Sequence, residues 1–315
     1  MKPVRLSLAQ TLCRNLPPLI AQRVRSWVYP FKKAYRDDYE FLVRAQTGSR
    51  FRNRTSDMAA CPFSVHGYSY WRNWAIALAV CSLGDTIVEV GAHVGTETIG
   101  FADIVGEQGK VYAFEPLPSN LMALKDVCEL NDHKGLTVLP FAVAEECKKM
   151  RFVLPAEKCS SIAHLLGPEE VGVNTIEVDC VTLDSFSDYI GPIKSIFIDA
   201  EGAEVMILRG ARNTIAKYRP AIVLEAAPGC LERSGVCLKG LHEEIISMGY
   251  KAFKISLLGL SGIELRQFKH REYHNWFCVH RTESDVVKAV NKYILRCGLL
   301  PCLPGLNPMV KWSSR

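Results

Sequence analysis

The run Thr86-Ile-Val-Glu-Val90, followed at once by Gly91-Ala-His-Val-Gly95, constrains this chain more than any other stretch. A short β-branched run suits a buried parallel strand, and the two glycines allow a tight turn into a helix predicted to begin near Thr96. A second strand, Lys110–Phe114, ends in Glu115, whose carboxylate can accept hydrogen bonds from both hydroxyls of a ribose. Strand, glycine turn, helix and strand make one βαβ unit, and its turn is where such a unit admits a nucleotide cofactor.

The glycine spacing argues against a dinucleotide. A pyrophosphate on a helix N-terminus asks for Gly-x-Gly-x-x-Gly, and here His93 and Thr96 stand at the second and third glycine positions. What survives is acidic-x-Gly-x-x-x-Gly, with Glu89 two residues before Gly91, which suits S-adenosylmethionine because its amino-acid end carries a cationic amine. A second cluster adds weight. Ile193–Ile198 reads as an apolar strand ending at Asp199, followed directly by Glu201, Gly202 and Glu204, and a further strand, Ala221–Leu224, ends in Glu225. Polar or acidic residues thus punctuate the carboxyl ends of several inferred parallel strands, where open α/β sheets bind ligands.

Four stretches together resemble the FkbM family of S-adenosylmethionine-dependent methyltransferases: Val88-Glu-Val-Gly-Ala-His-Val-Gly95, Ala113-Phe-Glu-Pro-Leu-Pro-Ser-Asn120, Val181-Thr-Leu-Asp-Ser-Phe186, and Ile198-Asp-Ala-Glu-Gly-Ala-Glu-Val-Met-Ile-Leu-Arg-Gly-Ala211. The resemblance covers about residues 80 to 228 and departs from the family's usual pattern at Glu89, usually Asp, and His93, usually Asn. It implies a doubly wound, Rossmann-like α/β fold with a seven-stranded sheet and an antiparallel closing strand. It also implies transfer of a methyl group to an oxygen, on a sugar, glycan, glycolipid or small natural product. Glu89, Gly91, His93, Gly95, Glu115, Pro116, Asn120, Ala142, Val143 and Asp199 are the candidate cofactor contacts, with Ala142 and Val143 toward the adenine. Asp199, helped by Glu201 or His93, is the candidate acceptor of the hydroxyl proton.

Competing readings stand beside several of these. Glu89 either meets the methionyl amine or fixes the glycine loop, and Asn120 serves equally to satisfy early-helix donors. Glu201 and Glu204 also complement a helix dipole. His164 falls in an insertion, 151–179, expected to border the acceptor side. The histidines show no ligand-like spacing with cysteines, so no zinc site is expected, and Asp199 with Glu201 is a thin case for a divalent ion. A scaffold that binds the cofactor without catalysis is the reading from another class.

Twelve dispersed cysteines without a Cys-x-x-Cys predict reduced, mostly buried thiols. With no uninterrupted apolar stretch after Lys2 and Arg5, that usage favours the cytoplasm. The charge is uneven: residues 1–54 hold twelve Lys or Arg against three acids, so the formal net charge of +5 conceals a basic N-terminus. Residues 16–31 mix large apolar side chains with Arg23 and Arg25, as an interfacial helix on an anionic membrane does, or as a helix packed on the catalytic body does. No motif for base stacking or groove reading accompanies the charge, so nucleic acid is not the expected partner, and the oligomeric state stays open. The expected organisation is a basic, partly helical extension over 1–66 with an irregular stretch from Thr47 to Pro62, a methyltransferase domain over 67–283, and a short helix with a Pro-rich tail over 284–315.

Overall fold

The computed structural model describes residues 1–154, 163–165, 174–263, 273–283 and 285–311. Helices α1 (Val4–Cys13), α2 (Pro18–Val28) and α3 (Phe31–Asp37) lead into a hairpin of β1 (Glu40–Arg44) and β2 (Arg50–Arg54), then α4 (Ala60–His66) and α5 (Trp71–Val80). The βαβ unit follows as β3 (Thr86–Val90), α6 (Thr98–Val105) and β4 (Lys110–Phe114), with α7 (Pro118–Asn131) and β5 (Leu136–Leu139) after it. Next come four strands, β6 (Ala142–Val143), β7 (Lys148–Val153), β8 (His164–Leu165) and β9 (Thr175–Val181). The chain re-enters the main sheet through α8 (Leu183–Ile190), β10 (Ser195–Ile198), α9 (Glu204–Arg209), α10 (Arg212–Tyr218) and β11 (Ala221–Glu225). It closes with α11 (Pro228–Arg233), α12 (Leu238–Ser247), β12 (Tyr250–Ser256), β13 (Gly259–Ser261), β14 (Asn275–His280) and α13 (Asp285–Leu299).

The main sheet runs β13-β12-β14-β11-β10-β3-β4-β5. Strands β5, β4, β3, β10 and β11 pair in parallel, and β14 enters antiparallel between β11 and β12. This is the expected doubly wound sheet with its antiparallel closing strand, extended at one edge by the short β13. The strand order reverses between β3 and β10, and a crevice opens at the carboxyl ends of strands at such a point.

Alternation along the strands assigns the two faces. Ile87, Phe197 and Val223 pack with α5, α6 and α13 in one cluster, whereas Val88, Val90, Ile196, Ile198 and Leu224 pack with α8, α9 and α12 in another. Phe41, Phe51 and Phe63 from the N-terminal segment and Val290, Ile294 and Cys297 from α13 belong to the first cluster. Seven of the eleven described cysteines, among them Cys13, Cys180 and Cys278, are buried, and all eleven are free.

Four expectations need correction. The stretch 47–62 is not irregular: the hairpin and α4 occupy much of the region, because Phe41 and Phe51 alternate into the core behind a charged outer face. The third strand, expected as Leu136–Val143, breaks at Pro140, which has no N–H to donate; β5 joins the main sheet and β6 pairs with β9 in a second sheet. The insertion's expected start at residue 151 falls inside β7, which with β6 before it belongs to that second sheet, ordered β6-β9-β7-β8; residues 155–162 and 166–173 lie outside the described residues. The C-terminal helix is fifteen residues long rather than short, since Val290, Ile294 and Cys297 bury one continuous stripe against α5.

Candidate functional site

The loop after β3 and the loop after β10 touch at the reversal point. Gly91 has φ +85, and a Cβ there would lie 1.9 Å from the Asp199 carbonyl oxygen, so this glycine is required by the approach of the two loops. Gly95, also at positive φ, lets α7 pack: a Cβ there would lie 2.9 Å from Leu124 Cδ2. His93, at φ +51, occupies the left-handed region that Asn and His tolerate better than most residues, which makes this substitution conformationally mild. Glu201 opens the second loop in the same conformation, at φ +52.

On the β4 side, a narrow cleft is lined by Phe114, Pro116, Leu117, Phe141, Ala142 and Val143, with Glu115 and Asn120 among its polar members. Both Glu115 oxygens are engaged, Oε2 accepting from the His93 N–H and Oε1 from the Leu117 N–H, each at 2.8 Å. Burial lifts its pKa to about 7 against the pull of those amides and of the Asn120 side chain. A carboxylate has about four acceptor sites, so the bonds from His93, Leu117 and Asn120 still leave acceptor capacity toward a ribose. Glu115 thus ties the glycine loop to the start of α7 and still lines the cleft.

On the other side of the junction lies a cavity of about 800 Å³, shared by the carboxyl ends of β3, β10 and β11 and the N-terminus of α5. Glu89, Glu97, Asp199, Glu201 and Glu225 face it, together with Tyr70, Asn73, Tyr273 and His274. Glu89 is 5% exposed and its Oε2 has no hydrogen-bond partner; burial first, then the Glu97, Asp199 and Glu115 charges, raise its pKa well above the carboxylate range. Asn73 Nδ2 holds both Glu97 oxygens at 2.9 Å, and burial with nearby Asp199 brings that carboxyl to about 8. Glu225 Oε2 is likewise unpartnered, and burial with the Asp199, Glu201 and Glu204 charges raises it to about 10.

Val90, Gly91, His93, Asp199 and Glu201 line both the cleft and the cavity. Asp199 opens onto the cavity although protein surrounds it, and burial with the Glu201 charge raises its pKa to about 7. Glu201 is already engaged: Arg233 Nη2 and Cys230 Sγ reach its Oε2 at 3.2 Å. His93 Nε2 stands 3.8 Å from Asp57, and burial, opposed by that charge, lowers its pKa. Glu204 turns back to accept from the Ala200 and Gly202 amides at 3.3 and 3.2 Å, so it braces the loop. Gly95 lines neither space, and His164 is buried in β8 between Ala163 and Leu165, which line the cleft, so the described part of the insertion borders the Glu115 side. Glu201, Glu225 and Cys230 are the one group among the described residues spaced to hold a metal ion, with Arg233 already upon it.

Tyr70, Asn73 and Glu97 were not singled out from sequence. Glu97 follows the glycine turn two residues after Gly95, and that offset is the signal that could have found it. Tyr70 and Asn73 open α5 and carry no motif.

Fold and site define a doubly wound protein of the nucleotide-cofactor class, in which an apolar cleft meets an acidic cavity at the carboxyl ends of β3 and β10. Residues 89–251 match the methyltransferase FkbM domain, more than half of the chain, and the chain belongs to that family. Its cofactor is S-adenosylmethionine, and the residues fit it: the apolar cleft walls suit adenine, Glu115 retains acceptor capacity, and the unpartnered Glu89 oxygen suits an ammonium. Similar solved structures include methyltransferase FkbM from Methylobacillus flagellatus KT, at 14% identity and TM-score 0.44, covering 87% of this chain and 58% of that one. Fibrillarin from Aeropyrum pernix with natively bound S-adenosylmethionine is similar at 12% identity and TM-score 0.39, covering 76% and 82%. SMU.1697c from Streptococcus mutans, in complex with S-adenosylhomocysteine, is similar at 9% identity and TM-score 0.40, covering 66% and 94%. The chain spans somewhat over half the length of the first of these, 58%. No curated protein matches the chain.

Proposed function

We propose that the protein transfers the methyl group of S-adenosylmethionine to a hydroxyl oxygen of a sugar, glycan or glycolipid. The observation that carries this reading is the position of Asp199, on the border shared by cleft and cavity and open to the latter. When bound, the cofactor supplies a sulfonium methyl that is already strongly electrophilic. The chain's own work is to align the acceptor oxygen, exclude water and accept the hydroxyl proton.

Glu115 takes the ribose hydroxyls and Glu89 the cationic amine, whose charge offsets the cost of burying the carboxylate. Pro116, Asn120, Ala142 and Val143 wall the adenosine, while Gly91 and Gly95 set the loop's path. Asp199 accepts the proton at its carboxylate oxygen; a pKa of about 7 leaves it ionised often enough at neutral pH while keeping it basic. His93 is the alternative acceptor, whereas Glu201, held by Arg233, serves to raise Asp199. Several carboxylates on the cavity wall suit the many hydroxyl donors of a sugar.

The test is incubation with labelled S-adenosylmethionine and separate glycolipid, glycan and small-molecule extracts, with methyl ethers located by mass spectrometry. Label in a sugar ether supports the reading. Label confined to small aromatic or polyketide products favours natural-product methylation, and cofactor binding without label in any fraction favours the scaffold.

A further inference from the structure

Three segments distant in sequence turn apolar side chains outward at one corner of the molecule. Helix α1 buries Leu6, Ala9 and Cys13, yet Val4, Leu8 and Leu12 on its opposite side are exposed, each one turn from the next. Trp27 on α2 is 83% exposed, whereas Tyr29 just beyond it is fully buried, so of these two aromatic residues only the tryptophan reaches the surface. On α13, Leu295 and Leu299 are exposed one turn apart. The segments are joined: the Cys302 N–H donates to the Asn15 carbonyl at 3.0 Å, and a Cβ at Gly298 would meet Leu19 at 3.4 Å, which puts the end of α13 into the corner between α1 and α2.

The charge around this corner is predominantly positive, although Lys288 has Asp285 beside it at 3.7 Å. No acid precedes Asp37, while Lys2, Arg5, Arg23, Lys32 and Arg36 are exposed. Lys288 and Lys292 continue the exposed row of Leu295 and Leu299 on α13, at spacings of one turn, and no acid occurs from Val286 to Lys311. A helix apolar on both sides wants a second partner beyond the core it already covers. A second copy of the chain would set these cations against one another, and nucleic acid would leave the apolar rows in water. We propose that this corner docks on an anionic lipid leaflet, the apolar rows entering the acyl boundary and the Lys and Arg side chains lying at phosphate level. Helix α2 belongs to both regions, since Gln22 lines the acidic cavity and Trp27 faces out, so docking brings the acceptor cavity close to the leaflet.

Vesicle binding involves no methyl transfer, so its result stands apart from the catalytic reading. The full chain is sedimented with vesicles of phosphatidylcholine alone and of phosphatidylcholine with phosphatidylserine, at low and high salt. Binding to the phosphatidylserine vesicles is expected to exceed binding to the neutral ones by about tenfold at low salt and to fall at high salt. The exposed pair Leu8→Ser with Trp27→Ser should reduce it by about tenfold, with unfolding temperature and S-adenosylhomocysteine affinity unchanged. Lys288→Glu with Lys292→Glu should abolish the preference for the anionic vesicles. Equal sedimentation with both vesicle types, or of wild type and variants, overturns the proposal. So does a dimer in solution that the Leu8 and Trp27 substitutions dissociate, which would assign the face to self-association.

Discussion

Glu115 both braces the glycine loop and lines the cleft, which places one side chain to serve fold and ligand together. It was legible in sequence because a carboxylate ending an apolar strand needs partners; that its oxygens also accept the His93 and Leu117 amides was not, since those partners are set by the loop's path. Hydrogen bonds to a charged acceptor contribute roughly 1.5–3 kcal/mol, which corresponds to about ten- to a hundredfold in affinity when a ribose hydroxyl loses its acceptor. Glu115→Ala is therefore expected to weaken S-adenosylhomocysteine binding by about ten- to a hundredfold in calorimetry. It should also lower the unfolding temperature, because two backbone donors lose their acceptor. Unchanged affinity with lowered stability would leave Glu115 a loop brace only. Asp199 was equally legible as a strand-end acid. Tyr70, with its hydroxyl kept neutral by burial and by Asp199, Glu97 and Glu225, was hidden because its distance from them in sequence is unrelated to its distance in space.

At the scale of elements, the βαβ unit was readable because its signals are local: a β-branched run, glycines and a terminal acid. The β1–β2 hairpin was not, because Arg50-Phe-Arg-Asn-Arg54 presents charge on three of its five positions while a single Phe51 does the burying. The split of the third strand at Pro140 depends on which sheet receives each half, a non-local choice. The meeting of the β3 and β10 loops gives a sharp expectation. Gly91→Ala places a methyl group against the Asp199 carbonyl at a backbone angle that L residues avoid, so the loops must separate. Strain of this kind costs about 1–3 kcal/mol, and the variant should melt earlier and bind S-adenosylhomocysteine poorly. An unaffected melting temperature would mean that the loops are not held together as described. The same loops bring together carboxyls whose folded pKa values are raised: Glu115, Asp199 and Glu204 to about 7, Glu97 to about 8. A folded state that holds its protons more tightly than the unfolded chain is stabilised below the ordinary carboxylate pKa and loses that contribution as pH rises through the folded values. The ligand-free protein should accordingly melt at lower temperature as pH is raised from about 6 to 9, and less steeply in Glu97→Gln. An identical slope in wild type and variant would show that Glu97 does not titrate in that range.

For the whole molecule, the doubly wound sheet follows from alternating strand and helix patterns, and the family motifs supplied the direction of its cofactor. What no pattern could supply is the shared border of cleft and cavity, which arises only when β3 and β10 lie side by side at the reversal of strand order. No helix among the described residues is long and apolar enough to cross a membrane. The central claim is that methyl donor and hydroxyl acceptor meet at Asp199. Single-turnover transfer of labelled methyl from S-adenosylmethionine, into the extract fraction that accepts label, tests it most directly when wild type is compared with Asp199→Asn. Turnover is predicted to fall by roughly 10²–10⁴-fold with cofactor affinity little changed, and the wild-type rate to rise with pH through about 7. A variant rate within a few-fold of wild type, or a collapse of cofactor binding in its place, would contradict the account.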